Sequence, residues 1–427
     1  MDHDHERAPV STPPPPAPID KPTKRPVAPS ERYFSLDALR GFALLGILVP
    51  NIWAFAWPMA AMTDPTVVGD TPANHLAHDI TSTAFLGKFM FLFALLFGSG
   101  VVMYARKFDT ADEHGRYHTK LHTGWHLWYT RCAVLLVFGL IHAYLFWFGD
   151  ILTFYAVAGL TLLWWVRRLP PQVQFWGGLG LYTLGALFML LFTLFGYYSY
   201  TQGRVSIEEL TGGDPQREIA GYTGTFIDAF RTRFFTTLMM QLFFGIMIMP
   251  ALWGIMVMGM GLTRLKVLTA EHSTRFYVAF AAILIPVGAT LTLLTHAAVS
   301  NGFEELSGFV WQGMAQFVGV PLAFGYAALI IALTKLSWAT VITKPLAAVG
   351  RMVLTNYFAH TLLCTTFFYG YGLGYFAQIE YPQLWLVVLS VWAFNIVFSL
   401  LWLRAFKMGP FEWLWRCLTY RQLVPIR

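Results

Sequence analysis

Two pairs of polar residues share one spacing in otherwise apolar surroundings. Arg40 and Asn51 are eleven residues apart, and so are Arg131 and His142. On an α-helix that separation turns by ~1100°, only ~20° from one face, and rises ~16 Å. Each pair therefore sets a cation at one end of a stripe and a hydrogen-bonding group about half a bilayer deeper. An imidazole at that depth can take a proton from a hydroxyl or amine, or carry an acyl group itself. Asp150 follows the tight Gly149 turn and could orient the ring. On a straight helix it would lie ~12 Å from His142, so contact requires the chain to turn back at Gly149. Asn51 could donate to a tetrahedral oxyanion. The structural alternatives are that Arg40 snorkels to lipid phosphates and that Asn51 and His142 bond to neighbouring helices.

Asp37 and Arg40 sit three apart and can pair on a helix face. In Gly350 to His360, Arg351 marks an apolar run's edge, while Asn356 and His360 are four apart on one face and either line a cavity or bond to a helix. Lys88 opens another apolar run, where it either snorkels or neutralises an oxyanion or substrate carboxylate. His114, His118, His122 and His126 recur at four-residue intervals. Each helical step drifts ~40°, so four in a row cannot surround one ion, and the segment reads as a membrane-surface helix rather than a metal site. Cys132, Cys364 and Cys417 are far apart and form no metal-spaced pair.

The elements holding these residues are membrane spans. Of 427 residues, 56% are hydrophobic and only 12% charged, with mean hydropathy +0.53. Ordinary soluble domains carry about 25% charge, so a soluble enzyme is excluded. The net charge of +6 comes from short loops between apolar runs, which argues for orientation in a bilayer and against nucleic acid.

The expected fold is all-α, a polytopic transmembrane bundle of about ten spans: 38–57, 85–105, 128–148, 151–166, 173–196, 235–262, 276–299, 311–333, 346–370 and 384–403. The sixth is long enough to kink near Met249-Pro250 or contain a re-entrant piece. With both termini cytoplasmic, the inner loops and tails hold 22 Lys and Arg against four in the outer loops. Outer segments 58–84 and 300–310 carry Asp64, Asp70, Asp79, Glu304 and Glu305. Residues 1–30 hold nine of the 23 prolines and read as a disordered tail without a signal peptide's layout. A membrane domain at 31–200, a polar extracytoplasmic segment at 201–234 and a second membrane domain at 235–427 complete the division.

The runs Leu36-Asp-Ala-Leu-Arg-Gly41, Lys88-Phe with Leu95-Leu-Phe-Gly98, Gly139-Leu-Ile-His142 with Gly149-Asp-Ile-Leu152, Gly350-Arg-Met, Thr355-Asn-Tyr357 and Gly409-Pro-Phe-Glu-Trp-Leu-Trp-Arg416 resemble YeiB-type membrane proteins. The resemblance covers nearly all of the chain after residue 30, and the second half looks like that family's C-terminal domain. It implies a grouping with transmembrane acyltransferases, among them heparan-α-glucosaminide N-acetyltransferase and the O-acetylating acyltransferase-3 enzymes. The latter follow a similar Leu-Asp-x-Leu-Arg-Gly opening with an Arg-x10-His pattern, and Asn51 stands where that His would be. By analogy with the heparan enzyme, His75 or His78 would supply an imidazole from the following loop.

The expected function is transfer of a short acyl group from cytoplasmic acyl-CoA, a co-substrate, to a sugar or lipid-linked acceptor reached from the outer face of a bacterial-type inner or plasma membrane. Arg40, Arg131 and Arg351 would hold the donor's phosphates. His142 would be the base, assisted by Asp150 and Asn51; Lys88, Asn356 and His360 would face the acceptor. No metal is called for, and a homo-oligomer is open. The rival is a transporter or flippase for a small amphipathic or lipid-linked solute, proton-coupled through His142 and Asp150. A third reading is a non-catalytic partner whose polar residues only join helices.

Overall fold

A computed structural model describes residues 33–110, 117–211, 213–303 and 306–427. The Pro-rich tail, His114, Glu304 and Glu305 lie outside them. Among the described residues the regular secondary structure is helical, with no strand. Its elements are α1 (Phe34–Ala56), α2 (Pro72–Ala84), α3 (Lys88–Ala105), α4 (Trp125–Ile141), α5 (Leu152–Ala158), α6 (Trp164–Val166), α7 (Pro171–Thr201), α8 (Ile207–Thr211) and α9 (Pro215–Thr223). They continue with α10 (Phe226–Met239), α11 (Gly245–Arg264), α12 (Thr274–Gly302), α13 (Ser307–Val318), α14 (Val320–Thr334), α15 (Thr340–Arg351), α16 (Val353–Phe368), α17 (Tyr381–Ala405) and α18 (Pro410–Tyr420).

The chain is a polytopic helical membrane protein. All ten apolar stretches are helical. Among the described residues, seven helices can each cross a bilayer by length and apolarity, with the α13–α14 pair, bent by 53°, as an eighth. The other two stretches are short or divided. Leu152–Val166 is an apolar helix of fewer than 18 residues, and 346–370 is broken at Met352 between α15 and α16. In the sixth stretch the irregularity falls on a π-helical turn, Met240–Phe244, while α11 runs on through Pro250.

Glycine lets the central helices touch backbone to backbone. A Cβ on Gly41 of α1 would collide with the Leu346 carbonyl of α15, and one on Gly350 of α15 with the Asp37 carbonyl of α1. Gly98 of α3 and Gly259 of α11 face each other's helix backbones in the same way. Where lipid leaves little hydrophobic drive between helices, such close approach provides the packing. One core of buried side chains runs from Leu36 on α1 to Phe358 on α16, joining both halves of the chain.

The cation-bearing loops gather at one end. Arg106 donates to the Tyr33 hydroxyl (3.0 Å), Ser35 to the Leu268 carbonyl (3.2 Å) and Lys335 to the Ala270 carbonyl (2.8 Å). Arg167 and Arg168 both clasp Asp109, and they also take the carbonyls of Thr119, Lys120 and Leu121. The surface helix expected through His118 and His122 is replaced by turns up to Gly124, with those carbonyls held by the two arginines.

Candidate functional site

The turn back at Gly149 takes place. After α4 the chain makes a π-helical turn, His142–Phe146, and reverses into α5. Gly139 makes the reversal tight, because a Cβ there would lie 2.5 Å from the Thr153 nitrogen. Asp150 thus returns to the end of α4. Its Oδ2 accepts from the Thr153 N–H at 2.7 Å, and its Oδ1 lies 3.0 Å from His142 Nδ1. That pair stands at ion-pair distance without hydrogen-bond alignment. His142 Nε2 meets the Thr361 hydroxyl of α16 at 2.7 Å. Carboxylate, imidazole and hydroxyl form one line, the imidazole hydrogen-bonded to the hydroxyl and within ion-pair distance of the carboxylate.

The line is sealed. His142 is 0% exposed, with the Tyr357 ring 4.8 Å and the Phe358 ring 5.1 Å from its own. The Tyr357 hydroxyl also accepts from the Ile151 N–H (3.3 Å), beside Asp150. Arg233 of α10 closes the far side. It is fully buried and donates to the carbonyls of Tyr144 (3.0 Å), Leu145 (2.6 Å) and Phe146 (2.9 Å), the groups a helix end leaves without partners. It is a positioning residue for the turn that carries His142.

The three arginines expected at the inner level converge. Arg40, Arg131 and Arg351 line one cavity of about 310 Å³ with Lys107 and Arg416, five cations against the carboxylates of Asp37 and Glu412. Asp37 pairs with Arg40 at 2.9 Å. Arg131 lies 3.5 Å over the Trp415 ring, and no carboxylate among the described residues is within ion-pair distance of it. Glu412 of α18 accepts from the N–H groups of Leu354 (2.6 Å) and Thr355 (3.2 Å), capping the start of α16. Burial pushes its carboxyl above the usual range, and the Thr355 and Leu354 hydrogen bonds pull against that.

The cavity and His142 lie at two levels of α4, ~16 Å apart by helical rise. Aromatic side chains fill the interval. Tyr155 packs on Phe93 and Phe97 of the cavity wall (6.0 and 5.3 Å), and Tyr357 covers His142.

The remaining expected residues are dispersed. Asn51 is half-buried, and among the described residues its side chain makes no hydrogen bond to His142 or to any other group. Asn356 donates to the Val349 carbonyl (3.2 Å) and the Ser399 hydroxyl (2.8 Å), leaving Oδ1 without a partner. His360 is buried, and its Nε2 has none either. Lys88 is buried at the opposite end of α3 from the cavity, beside Trp311. His75 pairs with Asp70 at 2.7 Å on the surface, while His78 stacks on Trp53 at 4.6 Å. Among the described residues no three His, Cys, Asp or Glu side chains group as metal ligands.

Sequence reasoning missed Thr361, Tyr357, Arg233 and Glu412. Tyr357 and Glu412 stand inside motifs that were noted, and Thr361 is one helical turn beyond Tyr357. Arg233 gave no signal, because only the fold brings it to the end of α4.

Residues 262–422 match the family described as "Protein of unknown function (DUF418)". The chain is 33% identical over 408 residues to YeiB, an uncharacterized protein of Escherichia coli (strain K12), covering 92% of this chain and 98% of that one. It is 29% identical over 427 residues to the uncharacterized YxaH of Bacillus subtilis (strain 168), covering 94% and 98%. An uncharacterized 39.9 kDa protein encoded 3′ of an amylase in Bacillus acidopullulyticus is 28% identical over 420 residues, 94% and 97% of the two chains. No solved structure matches.

Proposed function

The chain belongs to the YeiB-type family, and from that premise we propose that it is an integral membrane acyltransferase. It moves a short acyl group from cytoplasmic acyl-CoA to a hydroxyl or amine of a sugar or lipid-linked acceptor at the outer face. One observation carries the reading: Arg131, at one level of α4, lies in a cavity rich in cations, and His142, on the same helix, is backed by Asp150. The membrane would be a bacterial-type inner or plasma membrane, with the cation-bearing end facing the cytoplasm.

The donor's phosphates pair with Arg131, whose guanidinium has no carboxylate partner among the described residues, and with Arg40 and Arg351. At about 310 Å³ the cavity stands at the low end of the ~300–1,000 Å³ of ligand pockets, room for the charged end of the donor. The acyl-bearing arm reaches along α4 once Tyr155 and Tyr357 move aside. Asp150 holds the Nδ1 edge of His142. Nε2 takes the acceptor's proton as the acceptor attacks the thioester carbonyl, then gives it to the CoA sulfur when the C–S bond breaks. The Thr361 hydroxyl occupies that nitrogen, so the acceptor displaces it or passes the proton through it. Asn51, with its amide free, would donate to the oxyanion. His360 and the free Oδ1 of Asn356 are the deep contacts for the acceptor.

The test is acetyl-CoA binding and turnover by the detergent-purified protein. Arg40→Ala and Arg131→Gln each weaken binding about tenfold or more, the loss of one charge-assisted contact. His142→Ala keeps binding and loses transfer. Absence of binding by any acyl-CoA at millimolar concentration overturns the reading. The complete enclosure of His142 and Asp150 favours the second one, a proton-coupled transporter or flippase. That protein would move an intact solute without consuming acyl-CoA.

A further inference from the structure

We propose that the end of the bundle opposite the arginine cavity holds an anion site built on Lys88, Trp311 and His296, taking one carboxylate or phosphate group. The site lies ~24 Å along α3 from Tyr104 of the cavity wall, so it is a second site. The buried cation points to it. Lys88 is 1% exposed, yet its ammonium has a single long hydrogen bond, 3.5 Å to the Ser82 carbonyl. No carboxylate among the described residues lies within ion-pair distance of it. Three N–H donors need three acceptors, and here one long contact serves a buried charge.

The neighbours repeat the deficit. Lys88 Nζ is 5.9 Å from the centre of the Trp311 ring, and the Trp311 indole N–H is buried without an acceptor. The His296 ring stands edge-on to Trp311 at 4.8 Å, and its Nε2 is 3.7 Å from Asp79 Oδ1. His78 reaches the same oxygen at 3.8 Å through Nδ1, with Nε2 buried and unpartnered. Asp79 is 53% exposed and His296 17%, so the cluster reaches the surface there, with Lys88 and Trp311 behind. An ammonium and an indole N–H only donate, so the inner pair repels a metal ion and accepts an anion. A carboxylate or phosphate supplies oxygens to both donors and leaves another for His296. The anion belongs either to a soluble acid or to a lipid headgroup.

The experiment uses the full chain in phosphatidylcholine nanodiscs. Inorganic phosphate and D-glucuronate are titrated calorimetrically, and phosphatidylglycerol is added to the discs and read by native mass spectrometry. At least one probe binds, Lys88→Gln weakens it about tenfold or more, Trp311→Phe weakens it severalfold, and Arg131→Gln leaves it unchanged. Binding of phosphatidylglycerol alone assigns the anion to a lipid, and binding of phosphate or glucuronate assigns it to a soluble acid. Failure of all three probes overturns the site, as does Lys88→Gln binding like wild type. If Lys88→Gln does not fold, Trp311→Phe decides, because it removes the donor and keeps the ring; unchanged binding then overturns the proposal. Acetyl-CoA binding is weakened in Arg131→Gln and kept in Lys88→Gln, so the two sites fail separately.

Discussion

Asp150 shows how a residue's place decides its chemistry. Its two oxygens serve two elements, one the first turn of α5 and the other His142 at the end of α4. Asp150→Asn keeps the shape and removes the charge that steadies an imidazolium. If His142 is the base, transfer falls by about 10²–10⁴-fold, with acetyl-CoA binding unchanged; transfer within threefold of wild type would refute the orienting role. Glu218 of α9 is the opposite case, an acid placed against its own ionisation. Its Oε2 accepts from the Met59 N–H at 3.0 Å, but burial raises its pKa from 4.5 to about 7. The folded protein therefore holds a proton that the unfolded chain has released between those values. Stability falls as pH rises from about 4.5 to about 7 and stays lower above. Glu218→Gln raises Tm at pH above 7 and flattens that slope, which thermal unfolding across the pH range measures.

The elements hold the site through their ends. Arg233 joins α10 to the end of α4 through three carbonyls, so Arg233→Met leaves them without their donor. Each unsatisfied group costs about 1–3 kcal/mol, and a drop in Tm of several degrees follows. Any transfer activity falls with it, while Arg231→Met in the same helix changes neither. At the other end of the bundle, Gly41 and Gly350 bring α1 and α15 into backbone contact beside Arg40 and Arg351. Gly350→Val places a side chain inside the Asp37 carbonyl, and size-exclusion chromatography should show loss of the monodisperse protein. A normal elution profile would mean that the two helices can separate without harm.

Across the whole molecule the levels are ordered: the cation cavity, the sealed His142 line, and the Lys88 cluster. The loops rich in Lys and Arg share the cavity's end, and both Tyr33 and α18 lie there too. This arrangement agrees with the charge asymmetry of the loops, so a cysteine placed at Ser337 should be labelled by impermeant maleimide only after the membrane is opened. One at Gln202 should be labelled from outside. The reverse pattern would invert the bundle. The native cysteines do not interfere, because all three are buried.

The sequence by itself determined the membrane class, the helical content and the family, since these rest on composition, apolar run length and local motifs. Helical spacing also gave the distance between Arg131 and His142. It could not decide which polar groups meet. Asp150 reaches His142 only because a π-helical turn and Gly139 reverse the chain, and Thr361 arrives from more than 200 residues away. The expected surface helix at His118 and His122 is likewise replaced by turns, whose carbonyls Arg167 and Arg168 bind from another segment. Local pattern fixes what a segment tends to become. Contacts between distant segments, whose closing the fold as a whole must stabilise, decide which side chains become partners.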